Sequence, residues 1–180
     1  TLESFGADLR AVIVGANGGI GAALVSALAA SPRVARVYAT ARPAAWTGEP
    51  GSQHKVTRCQ MDATDEQSIV ELAARCRQDG PLDIVLVATG VLHDSADLQP
   101  EKSWKSLDYV AGWFMKAADY GLQTPTVSAF VSTNSICQGQ QVPILWPLIS
   151  QTKHQIAFAH TSFKWANLAS YNAGVTVVIV

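Results

Sequence analysis

The run Val12-Ile13-Val14-Gly15-Ala16-Asn17-Gly18-Gly19-Ile20-Gly21 has the residue types needed to bind a pyrophosphate. An apolar strand stops on a glycine, turns through three more, and enters an alanine-rich helix. Such a turn brings backbone N–H groups up to phosphate oxygens and sets their charge at the positive end of the helix. Gly15 suits the tight turn, Gly19 leaves room for the phosphates, and Gly21 lets helix and strand pack closely. A glycine turn that binds nothing is the alternative. The readable strand before it and helix after it favour a dinucleotide site.

The end of the second strand bears on which dinucleotide. NAD sites place an Asp or Glu there to accept hydrogen bonds from the adenosine ribose. This chain has Ala41 and then Arg42. A carboxylate would repel a 2′-phosphate, whereas a guanidinium grips it with charge-assisted hydrogen bonds of roughly 1.5–3 kcal/mol each. The expectation is NADP(H) over NAD(H), against the alternative that Arg42 is an ordinary solvated residue.

Other chemistries find little support. His54, His93, His154 and His160 form no pair at metal-ligand spacing, Cys59, Cys76 and Cys137 are odd in number, and no metal site is expected. Ser132 and Ser135 do not sit in a G-x-S-x-G turn, which argues against a hydrolase nucleophile. His93 and Asp94 follow the fourth apolar run, where a surface loop is the favoured reading. Most of the late tryptophans read as core or interface, with Trp146 a candidate for lining a pocket.

The elements that must position these residues alternate along the chain. Strands are expected at Ala11–Val14, Val34–Ala39, Lys55–Cys59, Ile84–Val87, Val127–Val131 and Val175–Val180. Helices are expected at Gly21–Ala30, from a Thr64 cap with Gln67 to about Arg77, at Trp104–Tyr120 and at Ser150–Ala169. Pro43–Gly51 reads as a loop. Continuous Val/Ile/Leu runs separated by helices predict one α/β domain over 1–180: a doubly wound, Rossmann-like parallel sheet of about six strands with helices on both faces.

Composition fits that domain. The chain has 180 residues, 48% hydrophobic and 15% charged, with 13 Lys or Arg against 14 Asp or Glu. A net charge of −1 predicts no broad pull toward nucleic acid, and none is expected as a partner. No stretch approaches 18 uninterrupted apolar residues, and no basic-then-apolar leader opens the sequence, so a cytoplasmic protein with free thiols and no membrane partner is expected.

With these residues in view, the chain resembles the short-chain dehydrogenase/reductase family. Gly15 to Gly21 looks like that family's TGxxxGxG turn, with Val14 in the usual Thr place, and implies cofactor contacts from Gly15, Asn17, Gly18, Gly19, Ile20 and Gly21. Met61-Asp62-Ala63-Thr64 resembles the acidic motif after the third strand, which implies that Asp62 and Ala63 meet the adenine. Leu86-Val87-Ala88-Thr89-Gly90 resembles the NNAG segment without its asparagines, and adds Ala88, Thr89 and Gly90. The resemblance covers residues 10 to about 100 and is patchy afterward.

In that family a Tyr donates the proton, a Lys four residues later lowers its pKa and holds the ribose, a Ser polarises the carbonyl, and an Asn precedes them. Ile149-Ser150-Gln151-Thr152-Lys153 looks like the YxxxK segment with Ile149 in the Tyr position. Ser135 lies 14 residues earlier, close to the family's spacing. The resemblance therefore implies Ser135 and Lys153 as catalytic residues, with Lys153 also holding the cofactor. None of Tyr38, Tyr109, Tyr120 and Tyr171 has a Lys four positions on, and the Asn is missing. His154, a conceivable substitute acid, should point to another side of the helix. The family's substrate loop would lie beyond Val180.

Two functions stay open at this point. One is an NADP(H)-dependent oxidoreductase acting on a small carbonyl or alcohol with impaired chemistry. The other is a non-catalytic NADP(H)-binding protein: a sensor, an inactive subunit or a truncated or redesigned scaffold. Ile156-Ala157-Phe158-Ala159 offers either a homo-oligomer contact through a late helix or the core side of that helix.

Overall fold

A computed structural model describes residues 2–42, 54–89, 107–165 and 175–180. The expected loop at 43–51 and the residues Gly90, His93, Asp94 and Trp104 lie outside these. The chain gathers into two compact units, Thr1–Val91 and Leu92–Val180.

In the first unit the strands are β1 (Leu9–Val14), β2 (Val34–Ala41), β3 (Val56–Gln60) and β4 (Ile84–Val87). They form a sheet of order β3-β2-β1-β4 with every neighbouring pair parallel. Alternation along the strands sends successive side chains to opposite faces. On one face Ala11, Ile13, Val37 and Ala39 pack with Leu24, Val25 and Leu28 of helix α1 (Gly19–Ala30). On the other, Val12, Tyr38 and Cys59 pack with Leu72 and Cys76 of helix α2 (Glu66–Asp79). The α/β class and the doubly wound parallel arrangement hold here.

Local chemistry sets the ends of α2. Its N-cap is Asp65 rather than the expected Thr64, because the Asp65 carboxylate accepts the Gln67 N–H at 3.1 Å. Gln67 then pairs forward with Glu71 instead of closing a capping box. Gly80, at φ +118°, ends the helix before Pro81 in a conformation that glycine adopts without strain.

The second unit departs from expectation. It holds α3 (Val110–Gln123), β5 (Val131–Thr133), α4 (Val142–Gln151), β6 (His160–Trp165) and β7 (Val175–Ile179). Its sheet has the order β5-β7-β6, with β7 antiparallel to both neighbours. The described strands therefore number seven in two sheets, where one parallel sheet of about six is expected. Between Trp165 and Val175 there is too little chain for a crossover helix, so β6 and β7 run antiparallel. Ala111, Phe114 and Ala118 of α3 bury against Ile136, Leu145, Ile149 and Val178.

Of the helix expected at Ser150–Ala169, the described residues 150–165 form instead the end of α4, a turn, and a strand. Thr, Phe and Trp in His160–Trp165 suit a pleated strand better than a helix. A β-bulge interrupts β6: His160 pairs with Ile179 but Phe163 with Val177, so β6 spends three residues where β7 spends two. Ser162, inside the bulge, has φ +34° and donates from Oγ to Asn134 Oδ1 at 3.0 Å. No helix of the described residues is long and apolar enough to cross a membrane.

Candidate functional site

In the first unit the expected cofactor residues gather at the carboxyl edge of the parallel sheet, where such sheets bind ligands. β1 ends at Val14, and Gly15 turns the chain at φ +85°. The N–H groups of Gly15 and Ala16 both donate to the Thr40 carbonyl, at 3.1 and 2.8 Å, tying the turn to β2. Gly18 N–H closes the turn on the Gly15 carbonyl at 3.2 Å. Gly18 is also the N-cap of α1, and no side chain caps that end. Asn17, Gly18, Gly19 and Ile20 are all exposed there.

The three glycines have different surroundings. A Cβ on Gly15 would stand 2.8 Å from Thr89 Cγ2 and 2.9 Å from the Ala88 carbonyl oxygen. A Cβ on Gly21 would meet the backbone of Gly15 and Ala16. One on Gly19 would meet nothing within 4 Å. Ala88 and Thr89 thus flank the turn, with Ala88 N–H on the Val14 carbonyl at 2.8 Å.

Asp62 and Arg42 share the neighbouring rim. Met61 N–H bonds the Ala41 carbonyl at 3.0 Å, which sets Asp62 and Ala63 just past the end of β2. The backbone N–H and hydroxyl of Thr64 hold the Asp62 carboxyl below its ordinary value, and the charge of Arg42 lowers it further. Arg42 is exposed directly after the buried Ala41. The roles of Thr64 and Ser68 in fixing Asp62 escape sequence reading, although Asp-x-Thr is a familiar turn spacing.

In the second unit the expected catalytic residues do not form a family-type site. Ser135 lies in a short 3-10 turn, Asn134–Cys137, its Oγ 2.9 Å from Thr133 Oγ1. Helix α4 ends at Gln151, and Lys153 follows at φ +64°, so no helical turn links it to position 149. Ile149 is buried among Leu145, Ile136 and Phe114. His154 places Nδ1 2.7 Å from Thr152 Oγ1, and its ring lies where a Cβ on Gly121 would be. Ile156 and Phe158 are exposed and outside any helix, which removes the helical contact expected of 156–159. Trp146 donates from Nε1 to the Ile136 carbonyl at 2.8 Å and stands edge-on to Phe114, so it serves the core.

Two family models match different stretches of the chain. The family model described as "MmeI, DNA-methyltransferase domain" matches residues 92–180. DNA methyltransferase A of Bacillus subtilis (strain 168) is 53% identical over 79 residues, 44% of this chain and 9% of that protein. The chain thus spans less than a tenth of that relative's length. These two matches overturn the expectation that nucleic acid is no partner. Net charge averages over the whole chain and does not report what a single segment is similar to.

Among solved structures, the type IIL restriction-modification enzyme MmeI in complex with DNA is 27% identical at a TM-score of 0.47, covering 69% of this chain and 24% of its own. An NADPH-bound carbonyl reductase from chicken fatty liver is 20% identical at a TM-score of 0.42, covering 78% and 62%. The family model described as "short chain dehydrogenase" matches residues 10–111, which include every described residue of the glycine turn and its rim. Over that span the chain belongs to the short-chain dehydrogenase family.

Proposed function

We propose that the unit formed by residues 1–91 binds NADP(H), and that it does so without the family's hydride-transfer chemistry. Gly19 carries this reading. Glycine at a helix position costs about 0.5–1 kcal/mol relative to alanine, and nothing within 4 Å of Gly19 would resist a methyl group. Phosphates approaching an uncapped helix N-terminus supply the missing reason for a glycine. Exposed Arg42 beyond Ala41 supports the 2′-phosphate form.

Ser135 and Lys153 have no part in this reading. Ile149 cannot donate a proton, and losing a positioned general acid costs typically about 10²–10⁴-fold in rate. Calorimetric titration of the chain with NADPH and NADH tests the proposal. NADPH is expected to bind at least about tenfold tighter, with Arg42→Ala removing most of the difference. Absence of binding by either cofactor would overturn it.

Residues 92–180 favour a second reading, in which that unit contributes contacts to DNA. Its support is the methyltransferase-domain match. Five Lys against five Asp or Glu, and no Arg, give the segment no basic excess. Fluorescence anisotropy with a labelled duplex at low salt tests it, and an unchanged signal at high protein concentration would sink it.

A further inference from the structure

Cys59 and Cys76 meet inside the first unit. Cys59 lies on the face of β3 turned toward α2, and Cys76 lies on the inner face of α2, one turn after Leu72. Both thiols are free and buried in one cluster with Val12, Tyr38, Met61 and Leu72, whereas Cys137 is exposed. Met61, two residues after Cys59, falls on the same side and adds a thioether to that cluster. The Tyr38 hydroxyl is engaged by Asp79, and Cys59 Sγ contacts the Thr57 carbonyl at 3.9 Å.

Two thiols in one cluster can close a disulfide or share a metal ion. Oxidation starts from a thiolate. Here burial pushes the Cys59 thiol up, and burial followed by the charge of Cys59 pushes the Cys76 thiol up. Both therefore stay protonated and react slowly with oxidants. A soft metal ion is not held back in this way, because coordination removes the thiol protons outright. Sulfur donors select a soft ion such as Cu(I), while calcium and magnesium need oxygens. Zinc takes at least three protein ligands, and among the described residues no three His, Cys, Asp or Glu gather as a ligand set. Two thiolates and one monovalent ion leave a single negative charge. The Arg75 guanidinium, whose charge favours the thiolate at both cysteines, offsets it.

We propose that Cys59 and Cys76 form a buried two-thiolate site for a soft monovalent ion of the Cu(I) class, with Met61 as the adjacent thioether and Arg75 as the countercharge. Each ion that enters displaces two protons, one from each thiol. The site bridges β3 and α2 and uses none of the residues assigned to the dinucleotide.

The test uses the full chain carrying Cys137→Ser, so that the exposed thiol takes no metal, and supplies Cu(I) without oxygen as the complex of a coloured chelator. The protein is expected to withdraw one ion per chain and to release two protons per ion into a weak buffer. Cys59→Ala and Cys76→Ala, each in that background, should weaken uptake by at least about a hundredfold. X-ray absorption of the loaded Cys137→Ser protein needs no core substitution, and so decides even where an alanine variant does not fold. It should show two or three sulfur neighbours on the copper. A chain that withdraws no copper, uptake that survives either alanine in a folded protein, or copper with fewer than two sulfur neighbours would overturn the proposal.

Discussion

Gly21→Ala separates packing from helix propensity, because the two act with opposite sign. Alanine inside a helix gains about 0.8–1.0 kcal/mol over glycine. At Gly21, however, the new Cβ would lie 2.8 Å from the Gly15 carbonyl carbon and 2.9 Å from Ala16 Cα, and closer still to the Gly15 oxygen. All three are backbone atoms, so no side chain can swing aside. Overpacking costs roughly 1–3 kcal/mol, and an immovable contact belongs at the upper end, about 3 kcal/mol. The net loss is about 2 kcal/mol. For a unit of this size that lowers the midpoint by roughly 10 °C. Thermal melting followed by circular dichroism measures it, and tryptophan fluorescence assigns the transitions, since four of the five tryptophans lie in residues 92–180. Gly19→Ala is the control: its methyl enters open space, so melting should rise by a few degrees while NADPH binding weakens at least about tenfold. A Gly21→Ala protein that melts at or above the parent would refute the packing argument. A Gly19→Ala protein that binds like the parent would refute the phosphate argument.

Ile149→Tyr forces a phenol into the cluster of Leu145, Ile136 and Phe114, and should destabilise the second unit by roughly 1–3 kcal/mol. NADPH-dependent carbonyl reduction by that variant would contradict this placement. Burial first, and then the hydrogen bond to Asp79, push the Tyr38 hydroxyl up to about 12 from 10.0. Between those values the unfolded chain has released a proton that the native chain keeps, so stability should fall as pH rises from 10 to 12. Tyr38→Phe should remove that limb, which alkaline denaturation curves would show. The bond from Tyr38 also holds Asp79 below its ordinary value, so its contribution is present above pH 3.8 and fades as pH drops further. Asp65→Ala should cost about 1 kcal/mol by leaving the Gln67 N–H without its cap, measurable by urea titration.

The first unit was legible because its signals are local and agree with one another. Val12, Ile13, Ile84 and Val85 sit in continuous apolar runs, and Gly80-Pro81 stops a helix at the residue before. The site at its edge follows from the same logic, since a glycine turn after β1 and residues after β2 and β3 must share one rim. The second unit was less legible for two reasons. Helix α4 runs over both Pro143 and Pro147, residues that ordinarily weaken a helix, the first at its N-terminal turn where proline is tolerated. The spacing that picks out Ser135 and Lys153 also extends a family pattern past residue 111, where the family match ends. There the pattern displaced plain local chemistry: His160–Trp165 has strand-forming residues, and no cap precedes it. The similarity of 92–180 to the methyltransferase-domain model leaves no mark in net charge, which is why composition pointed away from it.

The bulge in β6 is a point at which this strand can lose one residue and keep both of its faces. Residues three apart in a regular strand face opposite sides, yet His160 and Phe163 share one, with ring centroids 5.3 Å apart. Removing Thr161 would leave His160 two residues from Phe163, on the same side of the sheet and still opposite Ile179, so strict alternation returns without turning the imidazole over. An exchange of side chains at Thr161 leaves the two faces of the sheet as they are. A single-residue deletion there removes the bulge and keeps inside and outside as they are, so a gap at this point in a related sequence marks a more regular strand with the same buried face.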